Sequence, residues 1–167
     1  MNRVFLILPV LIVGALMLLK DKEPAAQIRP ESEPDWWDDI MYRLGQRSLE
    51  RLTGVHPDMV RLVKRAIQIT AIDFSVGEGV RELERQRELF NEGKTTTLNS
   101  RHLTGHAVDL WALDGGVVSW DWKFYHQIAD AMKQASRELN IPIIWGGDWT
   151  SFKDGPHFEL SWEKYPR

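Results

Sequence analysis

Two clusters in the chain carry the groups from which a hydrolytic metal site can be built. The first is Ser100-Arg101-His102-Leu103-Thr104-Gly105-His106-Ala107-Val108-Asp109, and the second is Asp154-Gly155-Pro156-His157. The chain has no cysteine, so a metal would have to be held by His, Asp or Glu. Catalytic zinc takes three such ligands and keeps a fourth position open for water. His102 and Asp109 can converge if Gly105 turns the chain back, and His157 can add a third ligand from the second cluster. His106 shares the loop with His102 and reads as an alternative ligand or a neighbour of the metal. Asp154 is placed to take a proton from water and return it to a leaving amine, provided a Gly155-Pro156 turn shortens its distance to His157. The spacing matches none of the helix-borne His-Glu-x-x-His patterns, so the inference rests on the two clusters together. His56 and His126 stand apart from both clusters and read as structural or surface residues.

These side chains need elements to carry them. Val108, Leu110 and Ala112 alternate with Asp109, Trp111 and Leu113, which predicts a strand with Asp109 on the face opposite the valine, ended by Gly115-Gly116. Phe158 and Leu160 alternate with His157 and Glu159, a second strand carrying His157. Pro57 and Asp58 open a helix with Val60, Val63 and Ile67 on one side. Ile69 to Val76 reads as a strand, and Glu82 to Glu92 as a charged helix stopped by Gly93. Ser119 and Asp121 can cap a long helix bearing Phe124, Ile128, Met132, Ala135 and Leu139, with Asn140 at its end. Ile141 to Trp145 is a further short strand. Trp145 and Trp149 read first as walls of the fold, with substrate contact as the alternative.

Composition sets the limits. The chain has 167 residues, 43% hydrophobic and 27% charged, which suits one folded domain with an appendage. A formal charge of -3 gives no reason to expect a nucleic-acid partner. Val4 to Leu19 is an unbroken apolar or small run, predicted to be a signal anchor or transmembrane segment of about 24 Å as a helix. Lys20 to Pro24 is a poor approach to a cleavage site, which favours an uncleaved anchor over secretion after cleavage. Residues 21–42 form an acidic, proline-rich tether, with seven acidic and two basic residues between 21 and 39. The expected organisation is therefore an anchor at 1–20, a tether at 21–42 and a catalytic domain at 43–167. The catalytic domain is expected on the exported side of the membrane as a monomer.

The first cluster fits the Ser-x-His-x-x-Gly-x-Ala-x-Asp signature of the zinc peptidases that cleave D-alanyl-D-alanine or L-alanyl-D-glutamate bonds in peptidoglycan. The second resembles their acid-x-x-His motif. The similarity is closest to the L-alanyl-D-glutamate endopeptidases of phage endolysins and bacterial autolysins, and spans roughly residues 43–160. Gly54-Val55-His56-Pro57-Asp58, Glu78-Gly79-Val80-Arg81 and Trp145-Gly146-Gly147-Asp148-Trp149 add to it. The resemblance implies that His102, Asp109 and His157 ligate zinc and that Asp154 is the catalytic base, where many relatives have Glu. It also implies that Arg81 holds the substrate carbonyl or oxyanion and that Ser100 contacts substrate. The plainer alternatives are that Arg81 only pairs with Glu78 or Glu84 on the surface and that Ser100 merely caps or shapes its loop.

The implied fold is a small α+β domain, with helices on one face of an antiparallel sheet and the zinc site on the other, preceded by the membrane helix. The implied function is hydrolysis of the peptidoglycan stem peptide at L-alanyl-D-glutamate. The alternatives are a D,D-carboxypeptidase that trims terminal D-alanine and a non-catalytic, membrane-anchored wall-binding relative.

Overall fold

The computed structural model describes residues 41–166. The expected anchor at 1–20 and nearly all of the 21–42 tether lie outside the described residues. Among the described residues no helix is long and apolar enough to cross a membrane. Within the described residues four helices, α1 (Gln46–Arg51), α2 (Pro57–Ile69), α3 (Leu83–Asn91) and α4 (Trp122–Leu139), accompany five strands. The strands are β1 (Asp73–Glu78), β2 (Ala107–Asp114), β3 (Val117–Ser119), β4 (Ile143–Trp145) and β5 (His157–Leu160).

The helices start and stop where local chemistry requires. Pro57 occupies the first turn of α2, and His56 Nδ1 accepts from the Asp58 N–H at 3.2 Å. Met59, Leu62, Val63, Ala66 and Ile67 then recur every three or four residues and are buried as one stripe. Asp121 caps α4 by accepting from the Lys123 N–H at 3.0 Å, and Asn140 ends it in a left-handed conformation. The buried stripe of α4 includes Tyr125, Ile128, Met132 and Ala135.

All strand pairings are antiparallel, in the order β1-β2-β5-β4, with β3 also paired to β2. Phe74, Val76, Val108, Leu110, Ala112, Phe158 and Leu160 join the α2 and α4 stripes in one core. Period two sends the alternate residues of β2 and β5 to the other face, so Asp109 and His157 point away from the helices. This is the α+β arrangement expected from the sequence.

Two strand boundaries differ from expectation. Ile69 completes α2, so β1 begins only at Asp73, and it runs to Glu78 through an irregularity between Val76 and Glu78. β4 begins at Ile143 because the Ile141 N–H is used to close the end of α4 on the Ser136 carbonyl, and Pro142 has no N–H to donate. Helix α1 and the short hairpin partner β3 were not foreseen.

Candidate metal centre and its cleft

One row of side chains crosses three strands. Glu78 of β1 stands opposite Asp109 of β2, and Asp109 stands opposite His157 of β5. His102 reaches the row from a 3-10 turn, Arg101–Thr104, that precedes β2. Ser100 Oγ accepts from the His102 N–H at 3.3 Å and starts this turn, and Gly105, at φ +69°, ends it. A Cβ at 105 would lie 2.6 Å from the Gly54 carbonyl oxygen, so glycine serves both the handedness and the close approach.

His102 Nε2, Asp109 Oδ1 and His157 Nδ1 form a triangle with all three sides 3.2 Å. Tetrahedral ligands at about 2.0–2.1 Å from zinc stand roughly 3.3–3.4 Å apart, so the triangle has the dimensions of one face of such a site. Hydrogen bonds behind the two imidazoles set their tautomers. His102 Nδ1 is 2.7 Å from the Gly79 carbonyl, which can only accept, so Nδ1 carries the hydrogen and Nε2 presents a lone pair. His157 Nε2 is 3.2 Å from Glu159 Oε2, which directs the Nδ1 lone pair into the triangle.

Three acceptors thus meet, and a cation is needed to reconcile them. In the metal-free protein that cation is a proton. Burial disfavours the imidazolium, yet hydrogen bonds to Asp109 and Glu159 override it and push His157 up to about 9. Burial would likewise raise Asp109, but the imidazoles of His102 and His157 hold it well below the usual carboxylate range. Among the described residues, this is the group of His and Asp side chains placed to hold a metal ion.

The family model for phage L-alanyl-D-glutamate peptidases matches residues 40–161, a span that contains the whole triad. The chain belongs to that family. The L-alanyl-D-glutamate peptidase of Escherichia phage T5 is 26% identical over 119 residues, covering 69% of this chain and 87% of the relative. The peptidoglycan L-alanyl-D-glutamate endopeptidase CwlK of Bacillus subtilis is 31% identical over 112 residues, covering 59% of this chain and 66% of the relative. The crystal structure of Serratia marcescens L-Ala D-Glu endopeptidase ChiX matches with a TM-score of 0.73 at 50% identity, covering 78% of this chain and 98% of that one.

The peptidase triad opens into a cleft of about 900 Å³ that also contains Asp154, Arg81 and Ser100. The Asp154 N–H donates to the Gly146 carbonyl at 3.1 Å, which folds the Gly155-Pro156 segment back toward the triad. Burial raises the Asp154 pKa, and the nearby Asp109 carboxylate raises it further, against the pull of His157, His102 and Arg81. Arg81 pairs with Glu78, as the plainer alternative held, but with its side chain only 9% exposed rather than on the open surface. Its Nε donates to Glu78 Oε1 at 2.8 Å, Nη2 contacts the second Glu78 oxygen, and Nη1 donates to buried Gln86 at 2.7 Å. Nη2 also lies 3.6 Å from Asp109 Oδ2, so the guanidinium faces the triad. Burial alone would lower its pKa, but the Glu78 carboxylate reverses the effect and Arg81 stays charged.

Not every expected residue reaches this peptidase cleft. His106 bonds Thr104 Oγ1 at 2.9 Å and packs 5.0 Å from the His56 ring, outside the triad, and it does not line the cleft. His56 is a helix cap and ring partner of Tyr165, in line with its structural reading. Trp145 is a wall of the fold, buried and stacked 6.2 Å from Phe158, whereas Trp149 packs 5.2 Å from the His157 ring and lines the cleft.

Two groups were missed: the Gly79 carbonyl behind His102, and Glu159 behind His157. Glu159 is also held by the Trp162 indole N–H at 2.8 Å. The alternation that puts His157 and Glu159 on one face of a strand was the signal that could have found the second.

Proposed function

We propose that the protein is a zinc-dependent endopeptidase that hydrolyses the L-alanyl-D-glutamate bond of peptidoglycan stem peptides. The observation that carries this reading is the equilateral triangle of His102, Asp109 and His157 in a chain of this peptidase family. When bound there, zinc supplies a Lewis acid and makes water a nucleophile at neutral pH. His102 and His157 contribute neutral imidazoles, oriented by Gly79 and Glu159, and Asp109 contributes the negative charge.

Asp154 is the proton carrier. Its raised pKa brings it closer to working pH, which suits a group that accepts a proton from water and later gives it to the leaving D-glutamate nitrogen. Arg81, braced by Glu78 and Gln86, offers a fixed positive charge to the developing oxyanion. Ser100 shapes the loop through His102 and, lining the same cleft, contacts substrate there.

The apolar segment 4–19 supports a further part of the reading, that the catalytic domain is tethered to the outer face of the cytoplasmic membrane as an uncleaved anchor. A wall-facing substrate fits that placement, and a monomer suffices because one chain supplies every site residue named above. Mass spectrometry of peptidoglycan digested by the full chain with zinc tests the activity. New amino-terminal D-glutamate, abolished by chelator, supports the proposal. Release of free D-alanine from an uncut wall overturns it in favour of a carboxypeptidase, and absence of any product leaves only wall binding.

A further inference from the structure

The cleft has an aromatic end that bond cleavage itself does not use. Trp111 lies two residues beyond Asp109 on the same face of β2, roughly 7 Å along the strand. Its indole rests against Gly77, where a Cβ would fall 2.1 Å from Nε1, so the absence of a side chain at 77 makes the seat for the ring. The Arg51 guanidinium stands 5.1 Å from the ring centre and is itself tied to the Val76 carbonyl at 2.7 Å. Trp120 comes next, on the loop after β3, with its ring 6.2 Å from that of Trp111. Tyr125 stacks behind it at 6.4 Å, yet Trp120 remains 63% exposed. A large ring backed by another ring and still open to water is a surface kept apolar and ready for an occupant.

Substrate chemistry identifies that occupant. On the amino side of the scissile bond, peptidoglycan offers one L-alanine, acylated by the lactyl ether of N-acetylmuramic acid. Alanine and lactyl each span about 3.5 Å, so the pyranose begins roughly 7 Å from the scissile carbonyl, the distance of Trp111 from Asp109. A pyranose is uncharged and presents C–H groups on one face, which suits an indole. Of the cations that line the cleft, Arg101 is buried and donates to the Leu160 and Tyr165 carbonyls, whereas Arg81, Arg85 and Lys94 come from the segment 81–94 and suit the carboxylates on the D-glutamate side. Of the other indoles that line the cleft, Trp149 packs against the His157 ring and Trp162 donates to Glu159.

We propose that Trp111 and Trp120 form a saccharide subsite that binds the N-acetylmuramic acid ring next to the cleaved L-alanine, so that the enzyme prefers glycan-attached stem peptides. This rests on the endopeptidase reading above. The test compares kcat/KM of the full chain with zinc on two substrates that share the L-Ala-D-Glu bond. One carries an N-acetyl group on the alanine, and the other carries N-acetylmuramic acid there. Wild type favours the saccharide-linked substrate about tenfold. Trp120→Ala brings the ratio close to one, Trp120→Phe keeps part of it, and melting curves confirm that both variants fold. A wild-type ratio near one overturns the subsite, as does a Trp120→Ala chain that loses both rates in proportion. A wild-type chain that cleaves neither substrate overturns the endopeptidase assignment and the subsite with it, an outcome distinct from cleavage without preference.

Discussion

Glu159 Oε2 sits 3.2 Å from His157 Nε2, and this contact fixes which imidazole nitrogen faces Asp109. Because Glu159 never enters the triangle, its role should appear in metal affinity before it appears in chemistry. Losing a carboxylate behind a ligating histidine typically lowers metal affinity about 10- to 100-fold. Glu159→Ala is therefore expected to weaken zinc binding by that factor in competition with a chromophoric chelator, and Glu159→Gln, which still accepts a hydrogen bond, to restore much of it. Equal zinc affinity in wild type and Glu159→Ala would show that the contact does not orient the ligand.

If the triad holds zinc as proposed, the raised pKa of His157 should make zinc affinity depend on pH. The folded His157 pKa is raised to about 9, so below that value zinc must displace a proton to bind. Apparent affinity should rise about tenfold per pH unit from pH 6 and level off near 9. The sign for stability follows the same pKa. In the metal-free protein the stabilisation from protonated His157 is complete below its unfolded value near 6.5 and is lost as pH rises through about 9. Metal-free thermal melts should accordingly show lower Tm at pH 10 than at pH 6, with zinc removing the difference attributable to this group.

Much of this site was legible because its carriers obey simple periods. The alternation Val108, Asp109, Leu110 placed the carboxylate on the face away from the core, and Phe158 beside His157 did the same on β5. The stripes of α2 and α4 were equally plain, and His56 and Asp121 sit at their starts. What stayed hidden was set by backbone and by distance along the chain. The partner of His102 is a carbonyl 23 residues away, and no side-chain pattern announces a carbonyl. Spacing favoured His102 but left His106 open as an alternative ligand or a neighbour; the 3-10 turn separates them, burying His102 and sending His106 toward His56. The β1 boundary failed for a related reason, since Ile69 is as apolar as a strand residue but is the last residue of α2, packed partly buried against the core.

Substitution of Asp154, the proposed proton carrier, is expected to separate metal binding from proton transfer. Asp154→Asn keeps the shape but cannot accept a proton, so kcat should fall about 10²- to 10⁴-fold with zinc affinity within a fewfold of wild type. Stability should move the other way. The folded pKa of Asp154 is raised by burial, so its stabilising contribution is present below the unfolded value near 3.8 and is lost as pH rises through the folded value. Metal-free Asp154→Asn should melt above wild type at pH 7, with the gain vanishing toward pH 4. A slow variant that also loses zinc would assign Asp154 to holding the site instead.

Gly105 tests whether the loop geometry itself delivers His102 to the triad. Gly93 and Gly105 share φ +69°, so alanine at either meets the same left-handed penalty, roughly 1–2 kcal/mol. Only at 105 does a Cβ also strike backbone, 2.6 Å from the Gly54 carbonyl, while nothing lies within 4 Å of a Cβ at 93. Relieving that clash must shift either the Gly54 strand of loop or the turn carrying His102, at a further cost of about 1–3 kcal/mol. Gly93→Ala should therefore lower Tm by a few degrees and leave zinc affinity intact, whereas Gly105→Ala should lower Tm by on the order of 10 °C and weaken zinc binding as well. Calorimetry and chelator competition on the two variants separate these effects. If Gly105→Ala were to match Gly93→Ala in both, His102 would owe its position to β2 and the Gly79 hydrogen bond rather than to the turn.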